Sequence, residues 1–225
     1  INVTVCDGNE KALDYLHKIM DKTASLSRHN YKFLSIHKEI RSWDDVEKID
    51  FPSCSFDIEL CDKVCCEFIS HGVNKKSYEY LASFLSKKLS EEGLLVMLDV
   101  TTKCKETMMF YPQMMNSQIN KFVRGSSEIE TLLPLSCATY KDCRIPCFTQ
   151  QTFRVTHVRK KDDESRVSYR ILCRRAFKES LMSNNFANSK THIINPIRYQ
   201  QKAEGAYCKN SKGNKDFIDS FNINI

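Results

Sequence analysis

The sequence predicts an α/β fold, with a mostly parallel sheet closed at its C-terminal end by an antiparallel hairpin. Three observations carry this expectation. Short apolar runs alternate with amphipathic, helix-length segments through the first hundred residues. The run Leu94-Leu95-Val96-Met97-Leu98-Asp99 is almost continuously apolar, as suits a parallel strand covered on both faces. Residues 152–159 and 166–174 alternate apolar and polar side chains around Lys160-Lys161-Asp162-Asp163-Glu164-Ser165, the pattern of two antiparallel strands and a polar turn.

Taken in order, residues 3–6 read as a fully buried strand that Asp7 terminates. A helix follows over residues 10–22, placing Leu13, Leu16, His17 and Met20 on one face at three- and four-residue spacing. Residues 31–40 form a second strand, with Phe33, Leu34 and Ile36 as its apolar members; residues 44–49 form a turn of helix or a loop. After the breaker-rich Pro52-Ser53, residues 56–61 read as a third strand. A long helix fits residues 76–90, with Tyr80, Leu81, Phe84, Leu85 and Leu89 on its buried stripe. Gly93 would stop it through a positive φ and lead into the strand at Leu94. Residues 101–133 read as helical and irregular, and from Ser183 the chain is rich in Asn, Lys and Ser. The expected organisation is one α/β domain over residues 1–182 and a polar, basic tail or peripheral segment over 183–225.

Bulk properties narrow the class. The 225 residues are 41% hydrophobic and 28% charged, ordinary values for a globular protein. No apolar run approaches the roughly 18–20 residues that span a bilayer, and no basic region precedes an apolar one at the N-terminus. No membrane partner and an intracellular location are expected, without resolving cytoplasm, nucleus or mitochondrion. The chain opens on Ile1 already inside a strand, which suggests further residues upstream. A net charge of +6 is compatible with nucleic acid or an acidic partner, and equally with enzymes of neutral substrates. Eleven cysteines without a secretion signal read as reduced thiols, with a metal or iron–sulfur site open for a subset.

Asp7 is the first candidate site residue. A carboxylate at the end of a strand and the mouth of a helix can accept the two hydroxyls of a nucleoside ribose, or it can simply cap the helix. Asp62 follows the third strand at the edge where α/β proteins bind ligands, and reads either as a proton acceptor or as a solvated loop acid. Trp43, the only tryptophan, reads as an aromatic contact or as core.

The ordered set "VTVCDGNEKAL", "FDIELCDKVCCEFISH", "LSEEGLLVMLDV" and "FRVTHVRKKDDESRVSYRILCRR" resembles the class I S-adenosylmethionine-dependent methyltransferases, which are Rossmann-like, over roughly residues 1–177. The resemblance implies S-adenosyl-L-methionine as cofactor. It gives Asp7 the ribose, with Gly8 and Asn9 turning the backbone beneath it. Arg41 and Trp43 fall where adenine is contacted. Cys61 and Asp62 fall near the methionine moiety and the acceptor, Asp62 orienting the acceptor or taking its proton. The first strand and glycine-rich loop of that family should precede Asp7 and are not present in these residues. A second likeness, to methyltransferase-like factors of small-ribosomal-subunit assembly, rests on Cys137, Cys143 and Cys147, followed by "FTQQTFR". It implies an iron–sulfur cluster, for which Cys104 would be the fourth ligand. With the basic residues Arg159, Lys160, Lys161, Arg174 and Arg175, these likenesses point to RNA or a ribonucleoprotein as acceptor and to a partner subunit. A non-catalytic binding subunit of the same shape and another nucleotide-binding α/β enzyme, such as a dehydrogenase, are the competing expectations.

Overall fold

A computed structural model describes residues 1–51, 56–133, 150–157 and 160–186. The chain divides into two compact units, Ile1–Pro52 and Ser53–Ile225. The class is the expected one: parallel strand pairs joined through helices in the Rossmann-like manner, then antiparallel strands toward the C-terminus.

The first unit contains β1 (Asn2–Asp7), α1 (Glu10–Leu26), β2 (Lys32–His37) and α2 (Trp43–Glu47). β1 and β2 are parallel and in register from Asn2↔Lys32 to Asp7↔His37, so both carboxyl ends emerge side by side. Asn9 starts α1 by accepting the Ala12 N–H at 3.1 Å, and Glu10 places an acid in its first turn. Leu13 is buried, and His17 meets the Phe33 ring edge-on at 4.6 Å between centroids. Val3, Thr4, Val5 and Cys6 are half-buried rather than fully buried. β2 is the only strand paired with β1 among the described residues. α2 begins where Asp45 Oδ2 accepts the backbone N–H groups of Arg41 at 3.0 Å and Ser42 at 2.9 Å. These donors hold the Asp45 carboxyl below its ordinary range.

The second unit contains β3 (Phe56–Asp62), α3 (Val64–Ser70), α4 (Ser77–Ser86), β4 (Leu89–Val100), α5 (Tyr111–Gly125), β5 (Ile129–Leu133), β6 (Gln150–His157), β7 (Lys160–Arg174) and α6 (Arg175–Phe186). Its sheet runs β3-β4-β7-β5, with β6 also on β7; β3–β4 is parallel and every pair made by β7 is antiparallel. One face of this sheet carries the core. Leu95, Met97 and Leu172 pack there with Tyr78, Leu81 and Ala82 of α4 and Met115 and Ile119 of α5, all buried. Burial of such side chains contributes roughly 1.5–3 kcal/mol each before the entropy of ordering is set against it.

Several sequence expectations change here. α4 ends at Ser86, and Leu89 already belongs to β4. Tyr80 is exposed, whereas Tyr78 is buried, because the helix turns its Tyr78-Leu81-Ala82 side to the sheet. Gly93 sits inside β4 and is required by close approach rather than by a positive φ. A Cβ there would lie 2.7 Å from the Phe56 carbonyl oxygen and 2.8 Å from Leu89 Cδ2. Residues 101–133 contain a strand, β5, as well as a helix. Lys160–Ser165, expected as the turn, already belong to β7, paired from His157↔Lys160 onward. The chain also forms α6 directly after β7, where the expected tail begins only later.

Candidate site at the carboxyl ends of the parallel strands

In the first unit the strand ends gather Asp7, Gly8 and Asn9 of the β1–α1 turn beside His37 and Lys38 at the end of β2. Asp7 Oδ1 accepts the Asn9 N–H at 2.7 Å, fixing the carboxylate against the turn. The helix cap is Asn9, so Asp7 does not perform that task itself. The Lys38 N–H donates to the Asp7 carbonyl at 3.0 Å, and His37 Nε2 lies 3.2 Å from the Gly8 carbonyl oxygen. A Cβ on Gly8 would meet the Lys38 carbonyl oxygen at 3.4 Å, a contact close to the limit of ordinary packing. Asp7 therefore stands exposed at the end of a strand, with its orientation set by one backbone donor.

Arg41 and Trp43 follow β2 and make local contacts. The Arg41 guanidinium donates to Glu39 Oε2 at 2.7 Å, which lowers the Glu39 carboxyl and raises the guanidinium. Trp43 Nε1 donates to Glu47 Oε1 at 3.0 Å, one turn along α2.

In the second unit β3 delivers a buried Cys61 and an exposed Asp62. The chain then reverses through Lys63, whose φ of 57° is left-handed and whose N–H donates to the Leu98 carbonyl at 2.9 Å. Lys63 offers α3 no side-chain cap, and Asp99 of β4 supplies one instead. Asp99 Oδ2 accepts the Cys66 N–H at 2.9 Å and the Tyr78 hydroxyl at 2.8 Å, and Oδ1 accepts the Val100 N–H at 2.7 Å. Burial raises the Asp99 carboxyl and these donors oppose the rise. The Tyr78 hydroxyl is pushed well up by burial and by the acid beside it.

Around this knot lie Cys61, Cys65, Cys66 and Cys104, all buried and free. Burial pushes the Cys65 thiol well up, and a hydrogen bond to Cys61 adds to it; burial and the Asp99 carboxyl push Cys66 up likewise. Cys65 and Cys66 act as packing groups, since the thiolate a nucleophile needs is disfavoured at both. Cys104 Sγ donates to Glu106 Oε2 at 3.0 Å. No group of three His, Cys, Asp or Glu side chains among the described residues could hold a metal ion. Cys137, Cys143 and Cys147 lie outside the described residues.

Sequence reasoning placed Asp7, Cys61 and Asp62 at strand ends, where the structure has them. Asp99, at the end of the apolar run, caps α3, an element that precedes it in the chain. Sequence reasoning missed Tyr78, whose signal was a tyrosine three residues ahead of Leu81 on the inward side of α4.

No family description matches the sequence, and no curated protein is significantly similar to it. Among solved structures the chain is similar to TehB from Haemophilus influenzae, with a TM-score of 0.45 and 10% identity over 77% of this chain; the chain spans 50% of that protein's length. It is also similar to a SAM-dependent methyltransferase from Methanosarcina mazei, with a TM-score of 0.41 and 10% identity over 76% of this chain and 81% of the other.

Proposed function

We propose that the chain carries the nucleoside-binding strand end of an S-adenosyl-L-methionine-dependent methyltransferase whose acceptor is RNA or a ribonucleoprotein. The observation that supports it best is Asp7: an exposed carboxylate, oriented by the Asn9 N–H, at the carboxyl end of a parallel strand and relieved of helix capping by Asn9. Such a fixed acceptor fits vicinal sugar hydroxyls, which donate to it. The cofactor would bring a methyl group already activated on a sulfonium centre. Asp7 would bind the ribose, and the net charge of +6 suits a polyanionic acceptor.

Isothermal titration of S-adenosylhomocysteine into this chain tests the cofactor reading. Binding that Asp7→Ala weakens at least about tenfold, with circular dichroism unchanged, supports it. No binding to the folded chain rejects it. Transfer of radiolabelled methyl groups into RNA, compared with protein fractions, tests the acceptor. A second reading, a non-catalytic RNA-binding subunit, draws on Arg41 and Trp43 being engaged with their own neighbours, Glu39 and Glu47. RNA binding undiminished by Asp7→Ala, without cofactor binding, would favour it.

A further inference from the structure

The second unit carries a cleft of about 680 Å³, within the roughly 300–1,000 Å³ of small-ligand sites. It lies at the end of the sheet opposite Asp62. Arg174, part of its lining, donates to the Leu89 and Ser90 carbonyls at the start of β4, whereas Asp62 pairs with Leu98 near that strand's end. Its lining among the described residues belongs wholly to the second unit. α4 and α5 run side by side in the same direction: Gln118 Oε1 accepts the Tyr78 N–H at 3.1 Å, and Lys121 Nζ donates to Glu79 Oε1 at 2.8 Å. Both helices end at the cleft, α4 with Ser86 and Lys87 and α5 with Gly125 and Ser126. Gly125 keeps it open, since nothing lies within 4 Å of a Cβ added there.

Charge balance decides what fits. Lys87, Lys121 and Arg174 share the lining with Glu79 and Glu128, and both acids are already held, Glu79 by Lys121 and Glu128 by Arg174 at 3.1 Å. Each helix C-terminus adds roughly half a negative charge through its last carbonyls. The one cation in excess is thereby offset, and the lining is close to neutral. A free anion meets two negative helix ends, and a polyamine meets three cations. Hydrogen bonding is what the lining offers instead. Ser83, Ser86, Ser126 and Ser127 bring hydroxyls, which both donate and accept, beside carboxylates with lone pairs to spare. Phe122 adds an apolar ring.

We propose that this cleft binds a neutral polyhydroxylated ligand, a free sugar or the sugar of a nucleoside. Its hydroxyls donate to Glu79 and Glu128 and accept from the lysines and serines, while the C–H side of its ring lies against Phe122. The polar groups are fixed before binding. Arg174 donates to Glu128, Leu89 and Ser90, and Lys121 reaches both oxygens of Glu79, so little ordering remains to be done. The cleft is separate from the residues of the cofactor reading: Asp7 belongs to the first unit, and Asp62 to the far end of the sheet.

The test uses the full chain, isotope-labelled for magnetic resonance, with ribose, glucose, mannose, uridine, inorganic phosphate and putrescine as probes. The amide resonances of Gly125, Ser126 and Ser127 read the cleft. At least one neutral probe is expected to shift them at tens of millimolar, and ribose against uridine tells a free sugar from a nucleoside. Phosphate and putrescine are expected to bind at least about tenfold more weakly. Gly125→Leu, which fills the open space, is expected to abolish the shifts at Ser126 and Ser127 with the melting temperature unchanged. Asp7→Ala is expected to leave the cleft response intact whatever it does to cofactor binding, so the two readings fail separately. No shift from any neutral probe overturns the proposal. So does a stronger response to phosphate or putrescine, or a sugar response that survives Gly125→Leu. The comparison of neutral and charged probes on the unaltered chain decides the matter even if Gly125→Leu misfolds.

Discussion

The Tyr78 hydroxyl donates to Asp99 Oδ2 at 2.8 Å in a place closed to solvent, and the same oxygen holds the Cys66 N–H at 2.9 Å. One carboxylate thus ties the end of β4 to the first turn of α3 and to α4. Tyr78→Phe removes one of its donors and leaves the acid less compensated. A loss of about 1.5–3 kcal/mol is expected, with the fold retained, since hydrogen bonds to charged groups are worth that much. Urea unfolding followed by fluorescence measures it, and an unchanged midpoint would contradict the knot.

Glu59 makes stability depend on pH. Its carboxyl sits at about 7 when folded against an ordinary 4.5, so the folded state keeps a proton that the unfolded chain releases. Stability is therefore lost as pH rises from about 4.5 to about 7, with nothing further to lose above. The gap corresponds to at most roughly 3 kcal/mol. Glu59→Gln is expected to stabilise the protein at pH 8 and to leave it nearly unchanged at pH 4.5. Melting temperatures at both values check this, and equal effects at both would count against a buried proton.

Gly93→Ala forces a methyl group to within 2.7 Å of the Phe56 carbonyl oxygen, which belongs to backbone and cannot swing away. The strands β3 and β4 must part locally, at an expected cost of about 2 kcal/mol. The same substitution at Gly125, where nothing lies within 4 Å of an added Cβ, is expected to be close to neutral. Chemical denaturation of the two variants side by side provides the comparison.

Lys178 of α6 donates to Glu130 Oε2 of β5 at 2.7 Å, both side chains being almost completely buried. Arg175 also reaches the acid, at 3.0 Å to Oε1. Lys178→Met is expected to cost about 2–3 kcal/mol, less than an isolated buried pair would lose, because Arg175 remains. Adding Glu130→Gln to Lys178→Met should recover part of the loss, a non-additivity visible in a double-mutant cycle.

Most of the element order was legible in the sequence because its signals are local. The runs that become β1, β3 and β4 are dense in apolar residues, and the spacing that buries Leu13 and Leu81 is helical. What escaped depends on partners distant in sequence. β5 is a strand because Ile129 and Thr131 face Arg174 and Leu172 of β7, more than 40 positions on. Lys160–Ser165 look like a turn until β6 pairs with them, and Gly93 looks like a helix stop until Phe56 is placed against it. Of the candidate site, Asp7 and Asp62 could be read from strand ends. That Asp99 caps α3 could not, because it requires a left-handed Lys63 and the closeness of Tyr78.

The buried sulfur atoms of the second unit give the molecule an internal clock. Cys65 and Cys66 hold their protons tightly, and burial raises Cys173, within β7, to about 11. An alkylating reagent consumes thiolate and needs access, so it can mark these positions only while the surrounding strand and helix swing open. The order in which such labels accumulate would chart, residue by residue, which part of the second unit loosens first.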